Sequence, residues 1–320
     1  MRMKERERFA AALRREPVKG LVPTFELVFY LTMEAFGKVH PSHRRFDQWW
    51  QMTDRERELQ RLDVADLYIA TAKKYGHSCI FFHGFRPEIE ETARMLELLR
   101  ERGGDEYFIV MHGDPTFSIP SGEDMTEVSA RFYEEPEEML AIAEERTQNH
   151  IKTAEYLAGA GDLLDGFAMC ADYCFNTNTF LSPAMFSEFI TPYLKRACDA
   201  YRSMGFYTIK HTDGNIMPIL DQLVQAGPDA LHSLDPQAGV SLAEVKRMYG
   251  DKVALCGNVN CGLLQTGTDA EAAADVRRSL REGMSSDGYI FCTSNCVYTG
   301  LELARYEMMM DIWQKEGIIN

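Results

Sequence analysis

The stretch FYTIKHTDGNIMPILDQLVQAGPDALHSLDPQAGVSLAEVKRMYGDKVALCGNVNC, residues 206–261, carries the pattern that decides the fold. It contains three short apolar runs, and each of them is followed directly by polar residues. Two longer segments with helical spacing, 216–227 and 241–250, separate these runs. Short apolar runs that alternate with helices are typical of βα units around a parallel sheet. The stretch therefore predicts three consecutive parallel strands whose polar ends lie at one edge.

The same alternation continues in both directions along the chain. Five further apolar runs end in polar residues, at 21–30, 78–84, 107–115, 164–173 and 288–296. Further helical patterns lie at 51–75, 88–103, 136–160, 182–204, 269–285 and 301–316. Eight βα units predict a (β/α)₈ barrel, formed by residues 1–320 as a single domain with an N-terminal helical extension. A doubly wound sheet is the alternative, but no G-x-G-x-x-G follows the first strand and no Walker loop is present.

Composition excludes several classes of protein. The 34 basic and 49 acidic residues give a net charge of −15, which disfavours nucleic-acid binding. A hydrophobic content of 45% is too high for a disordered chain. No run approaches the roughly 18–20 apolar residues of a membrane span, and the charged N-terminus has no apolar signal core. We therefore expect a soluble, cytoplasmic protein whose eight cysteines are mostly reduced.

Histidine and cysteine at the strand ends suggest a metal site. His211, Cys261 and Cys296 follow three different apolar runs, which a barrel would bring to one mouth. Two thiolates and an imidazole suit Zn²⁺, and an open fourth position would make such a site catalytic. Asp213, Cys292 or Glu26 is available as a further ligand. The alternative is that these side chains are simply packed in the core.

Acids and amides also follow the strands. Asp172, Asp213 and Glu26 are predicted catalytic groups, because a carboxyl in a partly apolar mouth can act as an acid or hold a cation. The alternative for each, and for Asp114, is a helix cap or a fixed loop. The predicted substrate-binding residues are Tyr173, Asn215, Asn258 and Asn295. By contrast, His83, His112 and His232 are interpreted equally well as core or rim histidines.

Several runs in order resemble the uroporphyrinogen decarboxylase superfamily. They are FLSPAMFSEFITPYLKRACDAYRSMGF, the stretch from IKHTDGN to GNVNCGLLQTGT, and GYIFCTSNCVYTGLELARYEMMM, which together cover about 165–312. The resemblance implies a (β/α)₈ barrel with its cleft at the C-terminal ends of the strands. True decarboxylases of the superfamily carry an arginine-rich motif in the first loop, whereas the corresponding segment here, FELVFYLTMEAFGK, has no arginine. Porphyrinogen decarboxylation is therefore not expected.

The second branch of the superfamily is similar to the cobalamin-dependent methyltransferases. Its members hold zinc with a His-x-Cys after the fifth strand and a Cys after the eighth, and the matching positions here are His211, Asp213 and Cys296. Asp213 departs from that pattern, so either its carboxylate or the thiolate of Cys261 would complete the site. The resemblance implies a methyltransferase that moves methyl between a small compound, such as a methoxylated compound or a thiol, and a corrinoid protein.

Two other functions stay open at this point. One is a metal-independent decarboxylase or lyase that acts on a non-porphyrin acid through Asp172 or Asp213. The other is a non-catalytic barrel that binds a corrinoid or another tetrapyrrole. The expected partners are a corrinoid protein and a small molecule, and the chain is expected to be a monomer or a homodimer.

Overall fold

The computed structural model describes residues 3–44 and 46–319, and it confirms the predicted (β/α)₈ barrel. Seven parallel strands pair in chain order, from β2 to β8. A short antiparallel ribbon of β1 and β9 joins the two ends of the chain. The strands are Gly20–Leu21 (β1), Cys79–Phe82 (β2), Phe108–His112 (β3), Gly166–Cys170 (β4), Tyr207–His211 (β5), Ala230–His232 (β6), Ala254–Cys256 (β7), Tyr289–Ile290 (β8) and Ile318–Ile319 (β9).

The eighth position of the barrel is filled by residues 22–29, which form isolated bridges rather than a regular ladder. On one side the amide of Ser78 donates to the carbonyl of Thr24 at 2.7 Å. On the other side the amide of Phe291 donates to the carbonyl of Pro23 at 2.9 Å. Proline has no N–H to donate to a ladder, which explains why the pairing here is sparse. The segment 22–29 nevertheless closes the barrel between β8 and β2.

Helices cover the outside of the barrel, as predicted. Three of the helices in the described residues were not predicted, and one predicted helix is divided into two. Among the described residues, no helix combines the length and the apolarity needed to cross a bilayer. The predicted helix 182–204 is divided at Ile190, two residues before Pro192. The helices are Glu5–Leu13 (α1), Thr32–Phe36 (α2), Asp54–Tyr75 (α3), Ile89–Gly103 (α4), Met125–Glu134 (α5), Pro136–Gly159 (α6), Pro183–Phe189 (α7), Thr191–Ser203 (α8), Leu220–Ala226 (α9), Leu242–Tyr249 (α10), Cys261–Thr266 (α11), Asp269–Gly283 (α12) and Leu303–Glu316 (α13).

Helix α1, within the predicted N-terminal extension, packs against the barrel strands. The ring of Phe9 is fully buried, with its centroid 5.5 Å from that of Phe25 and 4.8 Å from that of Phe108. The same core cluster contains small strand residues such as Ala168 and Ala254. These packed residues fill the interior beneath the strand ends, so the barrel is a solid core rather than a pore. The polar residues that follow the strands are left at the opposite, C-terminal mouth.

Candidate active site

Two acids and a histidine lie together at the mouth. His211 ends β5, Asp213 follows it by two residues, and Asp172 follows β4. The Nε2 atom of His211 is 3.5 Å from Oδ1 of Asp172 and 3.8 Å from Oδ1 of Asp213. Within the described part of the chain, this is the one group of three acid, histidine or cysteine side chains whose ligand atoms all lie within 4.8 Å of one another. We call it the acid–histidine site.

Hydrogen bonds hold both carboxylates in place. The backbone amide of Asp213 donates to Oδ1 of Asp172 at 3.0 Å. The hydroxyl of Ser233 donates to Oδ1 of Asp213 at 2.9 Å, and the side-chain amide of Asn295 donates to Oδ2. Asn295 was predicted to bind substrate, and here it orients an acid instead. The two carboxylates therefore face His211 in fixed positions before any ligand arrives.

The imidazole of His211 is oriented by a second histidine. Its Nδ1 lies 2.7 Å from Nδ1 of His232, and Nε2 of His232 lies 3.1 Å from the carbonyl oxygen of Thr293. A carbonyl only accepts hydrogen bonds, so Nε2 of His232 carries its proton. Burial lowers the pKa of His232 well below its usual value, so its Nδ1 carries no proton and accepts a hydrogen bond from Nδ1 of His211. The chain of hydrogen bonds places the second N–H of the pair on Nδ1 of His211.

Because of this tautomer, the Nε2 atom of His211 that faces Asp172 and Asp213 carries no proton. Burial lowers the pKa of His211 to about 4, so at neutral pH its Nε2 has a lone pair and no proton. That lone pair faces the oxygens of Asp172 and Asp213, and burial together with Asp172 raises the pKa of Asp213 to about 7. Among the described residues, no lysine or arginine forms an ion pair with either carboxylate. Three electron-rich atoms that face one another favour a cation between them.

Nearby, Asp114 has a structural role rather than that of a cation holder. Its Oδ2 accepts from the buried ammonium of Lys210 at 2.6 Å and from the amide of Ala171 at 3.0 Å. The Lys210 ammonium also donates to the carbonyl of Ala171 at 2.9 Å. This ion pair fixes the chain immediately before Asp172. It therefore positions one acid of the site through a contact between β3 and β5.

Other predicted site residues lie below the mouth or in turns. Tyr173 is buried, with its hydroxyl 2.6 Å from that of Thr116. Asn258 is fully buried and donates to the carbonyl of Leu234 at 2.7 Å. The side-chain oxygen of Asn215 accepts from the amide of Met217 at 3.2 Å. Tyr173 and Asn258 are thus buried structural residues, and Asn215 stabilises a turn.

The predicted cysteine ligands lie outside the acid–histidine site. Cys261 is buried at the start of α11, and its sulfur lies 3.8 Å from the backbone oxygen of Cys296. Burial raises the pKa of both thiols to about 12, which keeps them protonated at neutral pH. Neither residue belongs to the group of ligand atoms described above. The ligand set His211, Cys261 and Cys296 therefore stays a prediction, whereas the ligand atoms that the structure brings within 4.8 Å of one another belong to Asp172, His211 and Asp213.

Glu26 lies outside the acid–histidine site, but it contacts Thr293, whose carbonyl oxygen accepts from His232. It is almost fully buried, and its Oε2 accepts from the amide of Thr293 at 3.2 Å and from the hydroxyl of Thr293 at 2.5 Å. Its other oxygen, Oε1, is buried without a hydrogen-bond partner among the described residues. Burial raises the pKa of Glu26 to about 8, so the side chain is a neutral acid at pH 7.

His232 and Ser233 are functional candidates that the sequence analysis did not select. Strands β5 and β6 pair in register with His211 opposite His232. The two runs YTIKH and ALH both end in histidine, and neighbouring parallel strands place equivalent ends side by side. That shared ending was the available signal for the pair.

Comparison with known proteins supports the same family and fold. The family model for uroporphyrinogen decarboxylase matches residues 116–315, more than half of the chain. No curated protein matches the chain in sequence. A methyltransferase from Methanosarcina mazei has a similar structure, with a TM-score of 0.73, 17% identity and coverage of 98% of this chain and 99% of that one. At that identity the likeness concerns the fold.

More distant barrels are also similar. An N-acetylneuraminate lyase from Fusobacterium nucleatum has a TM-score of 0.43 at 10% identity, over 80% of this chain and 70% of that one. A D-psicose 3-epimerase from Clostridium cellulolyticum H10 has a TM-score of 0.46 at 10% identity, over 78% of this chain and 90% of that one.

Proposed function

Because the chain belongs to the uroporphyrinogen decarboxylase family, we propose that it is a corrinoid-dependent methyltransferase of that family. It moves a methyl group between a small donor or acceptor, a methoxylated compound or a thiol, and a corrinoid carried by a partner protein. The resemblance of its C-terminal half to the cobalamin-dependent branch supports this. So does the similar fold of a protein described as a methyltransferase.

The metal ligands in this proposal are Asp172, His211 and Asp213. The observation that carries the proposal is that Nε2 of His211 lies 3.5 and 3.8 Å from oxygens of Asp172 and Asp213. A nitrogen and two oxygens suit Zn²⁺ and leave a coordination position for substrate. When bound, the metal would supply Lewis acidity to the heteroatom of the substrate.

Neighbouring residues of the chain hold the three proposed ligands in position. His232 keeps the proton of His211 on Nδ1, while Ser233 and Asn295 hold Asp213 toward the site. Partners of this kind fix the orientation and the tautomer of a ligating ring, and their loss typically lowers metal affinity about 10–100-fold. Lys210 and Asp114 fix the backbone that carries Asp172. None of these residues has to move for a small substrate to be held.

The charge of the site also argues against a tetrapyrrole polyacid as the substrate. The mouth presents two carboxylates that no described lysine or arginine neutralises. In the first loop, the side chain of Arg44 is already occupied by Asp63 at 2.6 Å and by the carbonyl of Val39 at 2.9 Å. A substrate with several carboxylates would therefore find no free arginine among the described residues of this loop.

Metal analysis and a methyl-transfer assay test the proposal together. Protein purified without chelator is expected to contain about one divalent metal ion per chain. With methylcobalamin and a panel of small thiols, or with cob(I)alamin and methoxyarenes, visible spectra are expected to show methyl transfer that chelation abolishes and Zn²⁺ restores. Turnover of an acid substrate by metal-free protein would favour the lyase. Formation of coproporphyrinogen from uroporphyrinogen would contradict the exclusion of tetrapyrrole chemistry.

A further inference from the structure

A second histidine pair lies at the same mouth, on strands β2 and β3. His83 directly follows β2, and His112 is the last residue of β3. Nδ1 of His83 is 2.9 Å from Nε2 of His112, and Nε2 of His83 is 2.8 Å from the carbonyl oxygen of Leu27. The acid–histidine site does not include either residue.

The carbonyl oxygen of Leu27 determines which atom donates in each of these hydrogen bonds. Because the oxygen of Leu27 only accepts, Nε2 of His83 carries the proton. Burial lowers the pKa of His83 to about 3, so the ring is neutral and its Nδ1 is an acceptor. His112 must then donate from Nε2. In neutral His112 the remaining nitrogen, Nδ1, is left with a free lone pair.

That lone pair is available to a ligand. His112 is exposed to solvent, and no described group of the protein forms a hydrogen bond with its Nδ1. The ring is nevertheless held in place, since the centroid of Phe81 lies 4.7 Å from that of His112 and 4.1 Å from that of His83. The structure therefore presents an oriented basic nitrogen at the mouth.

His112 also lies near the acid–histidine site. Strand β4 pairs with β3 on one side and with β5 on the other, so His112 and His211 end strands separated by one neighbour. Adjacent strands are about 4.8 Å apart, which puts the two strand ends roughly 10 Å from each other. A charge on His112 lowers the pKa of His211, in agreement with that proximity. His112 and His211 therefore face the same cleft from strands separated by one neighbour.

We propose that His112 is the proton acceptor of the reaction and that its Nδ1 takes the proton from a thiol or hydroxyl whose heteroatom is held at the acid–histidine site. The inference rests on the proposed function and names the chemical class of its acceptor substrate. The S–H or O–H bond breaks, its electron pair stays on the heteroatom, and the lone pair of Nδ1 forms the new N–H bond. In the demethylation direction the same proton returns to the heteroatom.

The hydrogen bond between His83 and His112 does not have to break for this proton transfer. Protonation at Nδ1 leaves the Nε2–H of His112 in place, so the hydrogen bond to His83 is kept. Desolvation by the walls of the cleft lowers the pKa of His112, and the charge of Asp114, two residues further on, offsets part of this effect. Because His112 is exposed, the proton can then pass to solvent.

Nitrogen NMR tests the placement of the proton without any turnover. In ¹⁵N-labelled protein loaded with Zn²⁺, two-bond correlations are expected to show His112 protonated at Nε2 and bare at Nδ1. Saturating 2-mercaptoethanol is expected to convert its ring to the imidazolium form. In His83→Phe the free protein is expected to show both tautomers. A ring that stays neutral with the thiol bound would overturn the proposal, and so would a proton on Nδ1 in the free protein.

Kinetics test the same role when methylcobalamin and 2-mercaptoethanol support turnover. His112→Gln keeps a hydrogen-bonding side chain but cannot accept the proton, so kcat is expected to fall about 10²–10⁴-fold, with metal content unchanged. His112→Ala should regain activity with added imidazole. The matched control is His150→Gln on α6, which should keep the wild-type rate. Full activity of His112→Gln would refute the role. No turnover by the wild type would count against the proposed function, and the NMR result would still decide the proton acceptor.

Discussion

The two histidine pairs at the mouth have the same hydrogen-bond pattern but face different surroundings. In each pair an inner histidine, His232 or His83, donates to a backbone carbonyl, of Thr293 or of Leu27, and accepts from an outer histidine. The outer ring of one pair, His211, points its bare nitrogen at two carboxylates. The outer ring of the other pair, His112, is exposed to solvent, and no described group forms a hydrogen bond with its remaining nitrogen.

The difference shows that the neighbours of an imidazole determine its chemistry. A bare nitrogen enclosed with carboxylates is a metal ligand, because a cation relieves the repulsion among the three groups. A bare nitrogen that faces an open cleft is a base, because water or substrate can supply its proton. The two proposals thus assign different functions to the same local arrangement on one barrel. Changes that remove one function should leave the other intact.

The largest effect is expected from His211→Ala. Loss of a direct ligand should reduce metal affinity by more than the ~10–100-fold that loss of an outer partner costs, and methyl transfer should disappear with the metal. Competitive titration with a chromophoric chelator measures the affinity. The matched variant His112→Ala should keep the metal while losing turnover. Equal metal loss in both variants would remove the distinction between the pairs.

The next largest effect is expected from a change at Glu26. This residue contacts Thr293 and directly precedes Leu27, the two residues whose carbonyl oxygens accept hydrogen bonds from the inner histidines. Burial raises the pKa of Glu26 to about 8 in the folded protein. The stability that its protonated form supports is therefore complete below its unfolded pKa of ~4.3 and is lost as pH rises through 8. At about 1.4 kcal/mol for each unit by which the pKa is raised, Glu26→Gln should gain a few kcal/mol over wild type between pH 5 and 9.

Urea unfolding at pH 5, 7 and 9 measures this difference. The free energy of unfolding of Glu26→Gln, relative to wild type, should rise steadily with pH. A suitable control is Glu16→Gln, since Glu16 is an exposed acid paired with Arg14 on the surface. A difference between Glu26→Gln and wild type that stays constant with pH would show that Glu26 is charged in the folded protein.

The third prediction distinguishes the roles of the two inner histidines, His232 and His83. His232→Phe removes the acceptor that fixes the tautomer of His211, so metal affinity should fall about 10–100-fold. His83→Phe makes the same change in the other pair and should leave metal affinity within about twofold. If the two variants lose metal equally, the effect comes from disruption of the core and not from the tautomer.

The sequence predicted the fold more fully than the site. Alternating runs and helices specified the barrel, and only the first segment lacked a regular ladder, because of Pro23. Asp172, His211 and Asp213 were all selected as strand-end residues, but the sequence pattern did not show how their side chains converge. Their convergence depends on the contact of Lys210 with Asp114 and on the register of β5 with β6.

The predicted cysteine ligands lie outside the group that the structure brings together, and there is a physical reason for this. A cysteine near a strand end is chemically a good zinc ligand, whereas its burial and direction are properties of packing that spacing does not reveal. Cys261 starts a helix and is covered, and its sulfur approaches a backbone oxygen. The resemblance to zinc methyltransferases also favoured a thiolate at the position where this chain has Asp213.

The smallest effect is therefore expected from Cys296→Ser. Because the thiol is protonated and lies outside the group of ligands, metal content and activity should stay within about twofold of wild type. Cys261→Ser serves as the companion variant. Metal content that falls together with activity in either protein would restore the thiolate as a ligand.

X-ray absorption spectroscopy of the protein loaded with Zn²⁺ tests the central claim most directly. Zinc–sulfur distances are about 2.3 Å and zinc–nitrogen or zinc–oxygen distances about 2.0–2.2 Å, so the two sets of ligands give separate shells. With Asp172, His211 and Asp213 as ligands, the spectrum should contain a nitrogen and oxygen shell with the outer scattering of one imidazole and no sulfur. A sulfur shell near 2.3 Å, or protein that binds no zinc, would contradict the account.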